Sequence, residues 1–248
     1  MANFARYNQK KVTAMTIQKL FFQLIQVSIG QLDCLDRGPS PEEWQELYNL
    51  SKQHQLATVC YDGVVRLFDF GLRAPQDLSI DWMAETEDTA LQAADAVPAI
   101  SHPLRRKLVE RWTERNGSSL YQRNSQPEQF TPSAAVVVLL LRAFEDFHRG
   151  ELKLDAVVAL CQQLRQANGV LPEFRDDSSV EQMLQTFGIW NFTKAMMWMA
   201  GEVTALDPKL MPAKPDASRG RFVLEQVWGG KVTLSERIKN RIRKLLLF

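Results

Sequence analysis

Few residues in this chain have the type and spacing that chemistry demands. Asp176 and Asp177 are adjacent carboxylates, the residue type that holds a divalent cation. Neighbours on an extended chain point to opposite faces, however, and Ser178 and Ser179 beside them suit helix capping, so no metal site is expected. His54, His102 and His148 could move protons, yet they fall in different elements and none has a ligand spacing with a cysteine or another histidine. Gly117, Ser118 and Ser119 would suit a phosphate cradle if a strand led in and a helix led out, and neither flanks them. No catalytic residue is assigned. Two sets have binding character instead. Trp190, Phe192 and Trp198, with Met196, Met197 and Met199, combine flat rings with adaptable thioethers, the lining of an apolar groove or the core face of a buried helix. As a groove, its walls would be Trp190, Phe192, Met197 and Trp198. Near the C-terminus, Ile238, Ile242, Leu245 and Leu246 fall on one stripe, with Arg237, Lys239, Arg241, Arg243 and Lys244 on the other side. Such a segment docks on an acidic partner or an anionic membrane surface, or packs its stripe on the body with the cations solvated.

Composition narrows the classes. A chain of 248 residues, 45% hydrophobic and 24% charged, is globular in character and long enough for one large domain or two small ones. A net charge of +1 gives no global reason to bind nucleic acid, and none is expected as a partner. Cys34, Cys60 and Cys161 are odd in number and widely spaced among apolar residues, which points to reduced thiols in a cytoplasmic protein, with neither disulfides nor zinc. No run reaches the roughly 18 to 20 apolar residues that span a bilayer. Gln23 and Gln26 interrupt the apolar stretch after the basic N-terminus, so a helix of the mature chain is expected there and not a signal peptide.

The elements that would position these residues are all helical. From Thr16 to Leu32 the apolar residues spread too widely for a surface helix, with Gly30 near its end. Ser40 as N-cap, Pro41 at the first helical position, and Glu42 and Glu43 in the first turn start the next, which buries Trp44 and Leu47. A helix over Ala57 to Leu67 follows, then one over Asp77 to Ala96 anchored by Leu78, Ile80, Trp82 and Met83. Leu104, Leu108 and Trp112 mark a short amphipathic helix over Leu104 to Arg115. At the centre lies a helical hairpin. Thr131 and Pro132 suit its start, and the β-branched run from Ala134 to Leu141 continues at helical spacing into Phe144 and Phe147, a length that favours helix over strand. Gly150 ends that helix, and Leu154, Val157, Val158, Cys161 and Leu164 give one face of its partner. A methionine- and tryptophan-rich helix runs from Gly188, and a short one from Arg219 stops at Gly229 and Gly230. The fold class is all-α, a multi-helix bundle of two packed helical parts with no substantial sheet. The parts are residues 1–115 and 130–230, joined by a connecting loop at 116–129 and followed by the basic tail at 231–248.

Phe21-Phe-Gln-Leu-Ile-Gln-Val-Ser-Ile-Gly, Pro41-Glu-Glu-Trp and Leu56-Ala-Thr-Val-Cys-Tyr-Asp-Gly-Val together resemble the opening helical region of an uncharacterised bacterial nucleotidyltransferase family. The likeness resumes at Phe187-Gly-Ile-Trp-Asn-Phe-Thr-Lys-Ala-Met-Met-Trp and at Arg219-Gly-Arg-Phe-Val-Leu-Glu-Gln-Val-Trp-Gly-Gly. Between its helical regions that family carries an α/β module, with a glycine turn for the triphosphate and two acids at alternate strand positions sharing Mg²⁺. Here the interval holds only residues 116–129, too few for a sheet with crossover helices, and no Asp-x-Asp pair follows Gly117. The resemblance therefore implies the helical frame without its active centre, and no catalytic or metal residue carries over. The expected function is that of a non-catalytic scaffold with a protein partner, requiring no cofactor. The alternatives are a subunit that completes a nucleotidyltransferase in trans and a small-ligand binder using the Trp190 groove. The expected location is cytoplasmic, with peripheral membrane contact through the tail as the variant.

Overall fold

The structure is a computed structural model that describes residues 17–93, 107, 111, 132–167 and 184–229. Among the described residues every regular element is a helix and there is no strand, as the apolar periodicity requires. The chain divides into two compact units, Met1–Ala96 with Glu202–Ala205, and Val97–Gly201 with Leu206–Phe248.

In the first unit, helix α1 (residues 17–28) buries Leu20, Phe21, Leu24, Ile25 and Val27, a spread that covers most of its circumference. Gly30, at φ 72°, turns the chain out of it. Helix α2 (Pro41–Gln53) begins on a complete capping box. The Glu43 N–H donates to Ser40 Oγ at 3.3 Å, and the Ser40 N–H donates back to Glu43 Oε2 at 2.9 Å. Arg37 pairs with Glu43, and that partner holds the Glu43 carboxyl below its usual range against the opposing effect of partial burial. Helix α3 (Ala57–Leu67) turns Ala57, Cys60, Val64 and Leu67 inward and runs into a 3-10 turn at Phe68–Phe70. Burial pushes the Cys60 thiol up, which leaves it an inert packing group. Gly63 makes the closest approach in this unit. A Cβ there would lie 2.7 Å from the Leu24 carbonyl oxygen, so α1 and α3 meet backbone to backbone.

Helix α4 (Gln76–Ala93) packs on α2 and α3 through Leu78 and Trp82. Two of its four expected anchors are corrected here, because Ile80 is 55% exposed and Met83 45% exposed. At 100° per residue, position 80 lies almost opposite 78, so a helix that buries Leu78 and Trp82 must turn Ile80 outward. Lys52 on α2 and Glu85 on α4 form an ion pair at 2.6 Å, exposed enough to contribute at most about 1 kcal/mol.

The second unit is built on the central hairpin, α5 (Pro132–Arg149) and α6 (Leu154–Ala167), which pack against each other. Val136, Val137, Leu140, Leu141, Phe144 and Phe147 line the inner face of α5. Gly150 adopts φ 78°, and the Glu151 N–H reaches back to the Asp146 carbonyl at 2.8 Å, closing the turn. At the start of α6, burial raises the Asp155 carboxyl against the pull of the Ala156 N–H and of Lys153 and Arg142. Helix α7 (Trp190–Thr204) follows Gly188, and α8 (Ala217–Trp228) closes the described part. The hairpin's Thr131, the helix expected at 104–115 apart from Lys107 and Arg111, the connecting loop at 116–129 and the tail at 231–248 lie outside the described residues.

Candidate functional site

The richest set of binding-type side chains sits on α7, and the surroundings of each decide what it can do. Phe192 has no exposed surface. Its ring stands 5.0 Å from Phe144 and 5.4 Å from Phe147. Phe222 of α8 approaches Phe147 edge-on at 6.3 Å, so four rings from three helices form one aromatic cluster. Met196, Met197 and Met199 are likewise fully buried. Trp190 and Trp198 differ, for both are half-buried. Lys194, one turn on from Trp190, places its Nζ 5.0 Å from that ring, a cation–π contact on the partly exposed side of the helix. Trp198 is held from the other side by Gly220 of α8. Of the four groove residues, then, Phe192 and Met197 lie in the core, while Trp190 and Trp198 keep contact with solvent.

The loop after α7 is tied to it by one aspartate. The Asp216 N–H donates to the Lys194 carbonyl at 3.1 Å, and its Oδ1 accepts from the Ser218 and Arg219 N–H groups at 3.0 and 3.1 Å. Its Oδ2 pairs with the Arg219 guanidinium. Burial alone would raise this carboxyl. The bonds from Ser218 and Arg219 outweigh it and bring the group down to about 2. The expected start of this helix at Arg219 missed the cap, although an aspartate three residues ahead of it is a recognised start signal. A group whose folded value lies below its unfolded value near 4 adds stability above that value and loses it as pH falls through about 2. At about 1.4 kcal/mol per unit, the pairing contributes at most about 2 to 3 kcal/mol. Asp216→Asn should therefore lower the melting temperature at pH 7, with the gap to the native chain closing below about pH 4. Asp216→Ala, which also removes the cap acceptor, should cost about 1 kcal/mol more. A gap that stayed constant down to pH 2 would show that the charge plays no part.

Of the three candidate histidines, the two among the described residues belong to different units. His54 is buried in the first unit with its ring 5.9 Å from Phe21, and its backbone N–H donates to the Leu50 carbonyl at the end of α2. His148 belongs to the second unit, exposed at the end of α5 with its ring 4.3 Å from Phe144. His102, the Gly117-Ser118-Ser119 turn, Asp176 and Asp177, and the tail cations Arg237, Lys239, Arg241, Arg243 and Lys244 lie outside the described residues. Among the described residues no group of three His, Cys, Asp or Glu side chains could hold a metal ion, and no helix is long and apolar enough to cross a membrane. No protein-family model, curated protein or solved structure matches this chain.

One surface feature was not singled out from the sequence. The exposed large apolar side chains of the described residues are Val65, Phe68, Phe70, Ile80 and Met83, all on α3, the turn after it and α4. Arg73 leans over Phe68 with its guanidinium 5.9 Å from the ring. The signal that would have found Ile80 and Met83 is the helical wheel of α4, on which they cannot share a face with Leu78.

Proposed function

We propose that this chain is a non-catalytic helical scaffold that engages a protein partner, and that it keeps the helical frame of a nucleotidyltransferase-like family without the catalytic module. The observation that carries the first half is the use made of chemistry-bearing residue types. Phe192, Met196, Met197, Met199 and Cys60 are core packing, and His54 is buried beside Phe21. Apolar side chains that packing would normally claim are instead left on the surface of α3 and α4. The second half rests on the motifs from Phe21 to Trp228 and on the short interval at 116–129. A small-ligand reading keeps one specific support, the half-buried pair Trp190 and Trp198 with Lys194 against the former.

The test is a thermal-shift series on the full chain with ATP or CTP and Mg²⁺. No saturable rise in melting temperature is expected. A saturable rise would overturn the scaffold reading, since a ligand at 100 times its Kd stabilises a fold by about 2.7 kcal/mol.

A further inference from the structure

We draw no further inference here: the strongest candidate, the exposed apolar patch of Val65, Phe68, Phe70, Ile80 and Met83 on α3, the turn after it and α4, has exposed neighbours of both signs along the chain, Arg66 and Arg73 as well as Asp69 and Asp77, and nothing in the structure shows what covers it.

Discussion

Replacing Trp82 with alanine is expected to be among the most damaging single changes to the first unit, at about 3 to 5 kcal/mol. The indole has no exposed surface and lies where α2, α3 and α4 meet. Its Nε1–H donates to the Ala57 carbonyl at 3.1 Å, fixing α4 to the first residue of α3, and Tyr48 of α2 meets the ring edge-on at 5.4 Å. Truncation removes the largest fully buried side chain in the unit and leaves a cavity that three helices would have to close by moving. Trp82→Phe separates the two contributions. It keeps most of the apolar volume and loses the hydrogen bond, so it should cost less, about 1 to 3 kcal/mol. With total stabilities of about 5 to 15 kcal/mol common for single domains, the alanine variant stands close to unfolding and the phenylalanine variant does not. Urea midpoints give the order, and amide exchange should show lost protection centred on α2, α3 and α4. Equal midpoints for both variants would mean that the hydrogen bond, and not the packed ring, carries the contact.

Local chemistry was the most legible part of this sequence, because its partners lie within a turn of each other. Ser40, Pro41 and Glu43 define the start of α2 in the chain as they do in space, and Gly30 and Gly150 stop helices where a left-handed residue is needed. The bounds of α3 follow in the same way from its apolar spacing. What was not legible depends on contacts between distant positions. Ile80 and Met83 read as core because their side chains are apolar, while only the packing of Leu78 and Trp82 decides which face of α4 turns inward. The binding-type residues of α7 could not be sorted from the sequence either. Phe192 and Trp198 have the same general character, and what separates them is that Phe144 and Phe147 enclose one while the other stays half-buried against α8. Asp216 was missed for a different reason. Pro208, Pro212 and Pro215 lie just ahead of it and favour an extended loop, which hides the cap that follows them.

The contact between α7 and α8 gives the second large effect. Gly220 is buried inside α8, and a Cβ built on it would lie 2.4 Å from Trp198 Cε3 and 2.8 Å from Trp198 Cβ. The second distance matters more than the first. A ring can swing about χ1, but the Trp198 Cβ is fixed by the α7 backbone, so an added methyl must push the two helices apart. Alanine in place of glycine inside a helix would ordinarily gain about 1 kcal/mol. Here overpacking should reverse the sign, with a net loss of about 1 to 3 kcal/mol. The Asp216 tether to the Lys194 carbonyl, one turn of α7 before Trp198, resists that separation and adds to the cost. Trp198→Leu alone should also destabilise, since it empties part of the space beside Gly220. In the double variant the new methyl occupies room that the indole has left, so the combined loss should fall short of the sum of the two single losses by at least about 0.5 kcal/mol. The same cycle run with Trp190, whose ring meets Lys194 on the exposed side, should be additive within experimental error. Coupling at position 190 as strong as at 198, or a Gly220→Ala chain that melts above the native one, would show that α8 does not seat on Trp198 through the missing side chain.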